Sequence, residues 1–124
     1  MKYGAKKDAN HNDIADAFKA IGVPCLDLSA MGGGVPDCIV WVWDSWQFVE
    51  IKNLSTPYGK RGMNNLQKEW IKRWRGGPVY IITSVDQALA FAKHDLGGIE
   101  VVMPGYPPAR YLKFQSTEDR NLPF

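Results

Sequence analysis

Two runs of aliphatic, β-branched and aromatic residues, Cys38-Ile39-Val40-Trp41-Val42-Trp43 and Trp46-Gln47-Phe48-Val49-Glu50-Ile51-Lys52, stand only two residues apart. Such composition suits a pleated sheet, and a two-residue gap leaves room only for a tight reversal. Asp44-Ser45 reads as that reversal, so the spacing predicts an antiparallel hairpin. With a two-residue loop, Trp43 faces Trp46, and counting back sets Ile39 against Glu50 and Asp37 against Lys52. Side chains alternate along a strand, so Glu50 and Lys52 share one face. Asp37 then lies across from Lys52, roughly 5 Å away at Cβ, and diagonal to Glu50 at about 7–8 Å.

Two carboxylates beside an ammonium, converging at the open end of a hairpin, suit a definite chemistry. Hard divalent cations take carboxylate oxygens, and Mg²⁺ commonly binds one or two of them plus waters and substrate phosphate oxygens. Metal-assisted phosphodiester hydrolysis needs such a pair, with Lys52 placed to steer a water or to stabilise charge on a phosphorane-like transition state. The alternative is structural: Asp37 as a turn residue after Pro36, with Glu50 and Lys52 on the solvent face of an exposed strand. Against it stands the neighbourhood, since Glu50 and Lys52 continue a face occupied by Trp46 and Phe48 on a strand apolar on both sides.

The chain as a whole reads as helix, three strands, helix, strand, helix. Asn10 to Ile21 carries Ile14, Ala17, Phe18 and Ile21 at helical spacing and stops at Gly22. Val23 to Leu28 is a short apolar stretch interrupted by Pro24, followed by Gly32-Gly33-Gly34 and the hairpin. Those glycines lack the Lys-Ser/Thr of a nucleotide loop; they let the backbone turn into Pro36-Asp37 and leave room for a substrate strand. Asn53 to Met63 reads as a loop. Leu66, Trp70 and Trp74 mark a second helix from Asn64, stopped by Gly76-Gly77-Pro78. Val79 to Thr83 is a buried strand, Ser84 caps a third helix running to Phe91 or Lys93, and Gly97-Gly98 ends it. Ile99 to Met103 can add a strand, Pro104 to Pro108 breaks regular structure, and the tail with Tyr111, Leu112 and Phe114 could cover the sheet edge, meet another subunit or touch substrate.

Gly34-Val35-Pro36-Asp37, twelve residues, then Glu50-Ile51-Lys52 resembles the PD-(D/E)xK nuclease signature. Asp13 in the first helix, the approach from Leu28 to Gly34, and Gln67 in the helix after the hairpin extend the likeness over residues 8–93. They are similar to small phage nucleases of the VRR-NUC and Holliday-junction-resolvase-like group. The resemblance implies an α/β fold with a restriction-endonuclease-like core, order αβββαβα, its mixed sheet lying between helices. It implies a Mg²⁺- or Mn²⁺-dependent endonuclease that leaves 5′-phosphate on branched DNA such as a four-way junction or flap. Asp37, Glu50 and the Ile51 carbonyl would hold the metal, Lys52 would act on the nucleophilic water, and a homodimer would make two symmetric cuts. In the family a first-helix acid, usually glutamate, faces the metal; the shorter Asp13 would reach it through a water. Asp13 can equally be the reciprocal partner of an Asn10 cap. Gln67 can orient Lys52 or the water, or serve in a capping box with Asn64.

Charge is uneven along the chain. The net charge is only +2. Yet Lys52, Lys60, Arg61, Lys68, Lys72, Arg73 and Arg75 face the single acid Glu69 between residues 52 and 75, a track suited to a DNA backbone or to a solvated helix face. Trp70 and Trp74, following Leu66 at helical spacing, read as core. His11, before the first helix, and His94, near the end of the third, read as solvated or dipole-compensating residues and not as a metal pair. Cys25 and Cys38 fall in apolar strands and read as buried free thiols.

With 124 residues, 45% of them hydrophobic, one core is expected, spanning about 8–98 with 99–124 as an extension. No apolar stretch is long enough for a membrane and none resembles a signal peptide, so an intracellular, cytoplasmic protein is expected, consistent with a phage gene expressed in a bacterial host. Two other readings stay open: a nuclease-fold module that binds nucleic acid without cutting, and a subunit of a larger nuclease.

Overall fold

The computed structural model describes residues 10–55, 63–74, 76–103 and 110–114. They form an α/β fold in which one mixed six-stranded sheet, in the order β1-β2-β3-β4-β5-β6, is covered by three α-helices. The elements are α1 (His11–Ala20), β1 (Cys25–Asp27), β2 (Cys38–Val42), β3 (Ser45–Ile51), α2 (Asn65–Arg73), β4 (Val79–Ile82), α3 (Val85–Ala92), β5 (Glu100–Met103) and β6 (Arg110–Lys113). A short 3₁₀ turn, Ser29–Met31, precedes the glycine run. None of the described helices is long and apolar enough to cross a membrane.

The first seven α and β elements follow the order expected from periodicity. β3 and β4 are parallel, and every other neighbouring pair is antiparallel. A parallel pair requires a crossover, and α2 supplies it. Of the roles open to the tail, covering the sheet edge is the one part of it takes: β6 pairs with β5 along its length and extends the sheet past β5.

Period-two alternation in β2 and β3 sorts the core into two layers. Val40 and Val49 turn to the face covered by α1 and α3, where Ile14, Phe18, Ile51, Ile82, Ala88 and Phe91 pack. Phe48 turns to the opposite face, against Ile71 and Trp70 of α2 with Val79, Ile81 and Val102. Burying a side chain such as Phe18 or Phe91 contributes roughly 2–3 kcal/mol. Trp70 and Trp74 stack on each other and set their edges on Phe48, as core spacing predicts. Leu66 differs, being exposed while Ile71 is the buried residue of α2.

The hairpin turn sits one residue earlier than expected. Trp43-Asp44 forms the two-residue loop, with both residues at positive φ (56° and 61°). Bulky residues rarely adopt that conformation. Tertiary contacts hold Trp43 there: its Nε1 donates to the Phe91 carbonyl at 2.9 Å, and its ring lies 4.3 to 5.6 Å from His94, Phe91 and Tyr80.

Moving the turn by one residue changes the partners by two. Val42 pairs with Ser45, Trp41 with Trp46, Ile39 with Phe48 and Cys38 with Val49. Because the change is even, no side chain switches face. Continuing the ladder, Asp37 comes opposite Glu50 in place of Lys52, and the expected pairing of Ile39 with Glu50 is replaced by Ile39 with Phe48.

Candidate active site

The site lies where β3 ends, on the face covered by α2. Glu50 and Lys52 follow Phe48 at alternate positions, so they inherit its inward direction, and each is only 3% exposed. That burial rules out the solvated-face reading. Lys52 Nζ lies 3.2 Å from Glu50 Oε2. Asp37, at the mouth of β2, accepts from the Ile51 main-chain N–H through Oδ2 at 2.7 Å. Its own carbonyl accepts from the Leu28 N–H at 2.7 Å, so Asp37 is held on both sides by main chain.

Gln67 joins α2 to this cluster. Its side-chain oxygen accepts from Lys52 Nζ at 3.1 Å and from the Asn64 N–H at 2.9 Å, while its amide nitrogen donates to Glu50 Oε2. Asn64 Oδ1 in return accepts from the Gln67 N–H at 2.9 Å, completing a capping box. The two roles weighed for Gln67 therefore coexist in one side chain.

Gly34 brings the two segments together. With φ at +84°, it passes so close to α2 that a Cβ would overlap the Leu66 carbonyl. The space left by this glycine is taken by the helix, whereas nothing lies within 4 Å of a Cβ built on Gly32 or Gly33.

The first helix contributes differently from expectation. Asp13 is exposed on α1. His11, two residues earlier and 2% exposed, is the residue that turns inward: Nε2 is 3.6 Å from Asp27 Oδ2 and Nδ1 is 4.0 Å from Asp37 Oδ1. Two residues are roughly 200° around a helix, so His11 and Asp13 face opposite ways. Asn10 does not cap α1 with its side chain. Its Nδ2 instead donates to the carbonyls of Lys52 and Thr83 at 3.2 and 3.1 Å, tying the ends of β3 and β4 together. The role of Asn10 has no signal in the sequence; His11 stands three residues before Ile14 and seven before Phe18, which marks its inward direction but not the carboxylates it meets.

Burial pushes the Glu50 carboxyl up to about 8, with the charge of Asp37 adding to the rise; the Lys52 amine and the Gln67 amide act in the opposite direction. Two facing carboxylates in a site largely closed to water resist ionising together. Among the described residues, no group of three or more His, Cys, Asp or Glu side chains is arranged to hold a metal ion. The acidic set is thus the Asp37–Glu50 pair, with the Ile51 main chain alongside.

Of the basic residues read as a DNA track, Lys68, Lys72 and Arg73 are exposed on α2, and Lys72 Nζ lies 3.1 Å from Glu69 Oε2. Lys60, Arg61 and Arg75 lie outside the described residues. His94 is exposed at positive φ just past α3 and rests on Trp43. Cys38 is buried, Cys25 half-buried, and both are free thiols.

Comparison of the chain with protein-family models, with curated proteins and with solved structures gave no match.

Proposed function

We propose that this chain is a divalent-cation-dependent endodeoxyribonuclease of PD-(D/E)xK type, built on a restriction-endonuclease-like core. The observation that carries the reading is Asp37 standing opposite Glu50 at a strand end, beside a buried lysine whose amine is shared between Glu50 and Gln67. A buried carboxylate and a buried amine, each 3% exposed, are expensive to place inside a fold and are concentrated where chemistry needs them.

The donor chemistry fits Mg²⁺ or Mn²⁺. Two carboxylates, with the Ile51 carbonyl as a third oxygen, match the sparse protein shell that such ions accept. Burial and, after it, the charge of Asp37 oppose ionisation of Glu50, and a bound cation would relieve both. When bound, the cation supplies Lewis-acid polarisation of the phosphoryl group and acidifies a water.

The protein's own groups do the rest. Asp37 is fixed by the Ile51 N–H, so its carboxylate meets substrate already oriented. Gln67 and Glu50 hold the Lys52 amine between them, where it can steer the attacking water or oppose charge on the phosphoryl oxygens. Hydrolysis joins the water oxygen to phosphorus and breaks the bond to the 3′ oxygen, leaving 5′-phosphate. Exposed Lys68, Lys72 and Arg73 lie on the same helix as Gln67, which favours a DNA backbone running along α2. Branched DNA and a homodimer cutting two strands rest on the family resemblance alone.

One observation favours a second reading. Lys52 Nζ lies 3.2 Å from Glu50 Oε2 and Gln67 meets both side chains, so these buried polar groups are partnered without a cation. A module that binds nucleic acid without cutting would need nothing more. The experiment is cleavage of labelled four-way junction, flap and linear duplex DNA by wild type and Lys52→Ala in Mg²⁺, Mn²⁺ or EDTA. Metal-dependent cutting lost in the variant supports the nuclease. Binding undiminished by EDTA, with no cutting under either metal, supports the module, and cutting only after addition of another protein supports a subunit of a larger enzyme.

A further inference from the structure

We propose that His11, oriented by Asp27, is a positioning residue that fixes the Asp37 carboxylate for cation binding. The inference rests on the cation-site reading above and adds to it a set of residues that no sequence motif indicates.

The geometry is a chain of contacts running inward from the surface. Asp27 Oδ1 accepts from the Ser29 N–H at 2.8 Å and from the Ser29 hydroxyl at 2.6 Å, which anchors the carboxylate at the end of β1. The other oxygen, Oδ2, lies 3.6 Å from His11 Nε2. Across the ring, His11 Nδ1 lies 4.0 Å from Asp37 Oδ1. Asp37 is held through Oδ2 by the Ile51 N–H at 2.7 Å, so its two oxygens meet different walls. One is a main-chain donor on β3. The other is an imidazole on α1.

At 3.6 and 4.0 Å these are not direct hydrogen bonds. His11 acts through packing, and because it is only 2% exposed it has little room to move away from the carboxylate. A carboxylate pinned at one oxygen can still swing about its last side-chain bond; the imidazole beside Oδ1 limits that swing. Groups that orient metal ligands from behind commonly change metal affinity by 10–100-fold when removed. A histidine serving only to fill the core would affect stability and leave cation affinity alone.

The test uses the full chain and Mn²⁺ as the probe. Mn²⁺ dissociation constants are measured by electron paramagnetic resonance for wild type, His11→Ala, His11→Gln, Asp27→Asn and Asp37→Asn, alongside thermal unfolding in EDTA. The expected result is that Asp37→Asn abolishes binding and His11→Ala weakens it about 10–100-fold. His11→Gln should regain part of the loss, and Asp27→Asn should weaken binding less than His11→Ala. If Asp37→Asn abolishes binding while the His11 and Asp27 variants match wild type, the positioning role is overturned and the cation site stands. If wild type itself binds no Mn²⁺, the cation-site reading fails and this inference with it. Should His11→Ala not fold, Asp27→Asn, isosteric and near the surface, decides: wild-type affinity in that variant overturns the proposal.

Discussion

The side-chain oxygen of Gln67 accepts from Lys52 Nζ at 3.1 Å while also accepting from the Asn64 N–H at 2.9 Å. One residue therefore starts a helix and holds the buried Lys52 amine, and these functions can be separated by mutation. Asn64→Ala removes the cap on the Gln67 N–H and should lower stability by about 1 kcal/mol in urea unfolding, with cleavage largely retained. Gln67→Ala should cost a similar amount of stability and, in addition, lower cleavage at least tenfold. Equal activity in the two variants would assign Gln67 to the helix alone.

Lys52→Met keeps much of the buried bulk and removes the amine. Cleavage should fall by about 100-fold or more, the range for losing a positioned donor that stabilises transition-state charge. Mn²⁺ binding should be unchanged or tighter, because a competing positive charge beside Glu50 is gone. Weaker Mn²⁺ binding in this variant would show that Lys52 organises the carboxylates and does not act on substrate.

Proton uptake at Glu50 gives the site a pH signature. In the cation-free fold its carboxyl is raised to about 8, against 4.5 as the ordinary value. A raised carboxyl contributes stability that is fully present below pH 4.5 and is lost as pH rises through about 8. The EDTA form should therefore unfold at progressively lower temperature across that window. Cation binding takes the ionised carboxylate and releases a proton, so Mn²⁺ affinity should climb by up to about tenfold per pH unit and level off above about 8. Calorimetry in buffers of different ionisation enthalpy would count the proton released, and a pH-independent affinity would remove Glu50 from the cation site.

Neighbouring glycines should differ sharply. A Cβ on Gly33 meets nothing within 4 Å, so Gly33→Ala carries only the strain of a left-handed backbone, about 1–2 kcal/mol. On Gly34 the same methyl overlaps the Leu66 carbonyl, and neither main chain can yield easily. Gly34→Ala should cost about 3 kcal/mol or more and, by separating Asp37 from α2, weaken Mn²⁺ binding too. Denaturant unfolding of the two variants side by side checks this.

Much of this arrangement is legible in the sequence because it follows simple periods. Asp37, Glu50 and Lys52 fall together from the turn and from alternation along the two arms, and the grouping survives a turn placed one residue late because the resulting shift in partners is even. Gln67 was marked by capping-box spacing from Asn64. The parts that could not be read depend on contacts between distant segments. Helical spacing from Ile14 and Phe18 puts His11 on the buried face of α1 and Asp13 off it, but that His11 then meets Asp27 and Asp37 is set by the docking of α1. β6 is not marked as a strand because its four residues, Arg110–Lys113, are too short to show alternation and form a strand by pairing with β5.

Trp43 makes the same point about the hairpin. Local chemistry favours small or polar residues where φ is positive, yet an indole occupies the first turn position, held by the Phe91 carbonyl and by rings from β4 and the end of α3. The two arms are adjacent in sequence, but the lock on their register is supplied 48 residues downstream. The facing of Asp37 and Glu50 therefore depends on a helix that lies outside the hairpin: loosening the contact between Trp43 and Phe91 would loosen the register that sets the two carboxylates opposite each other.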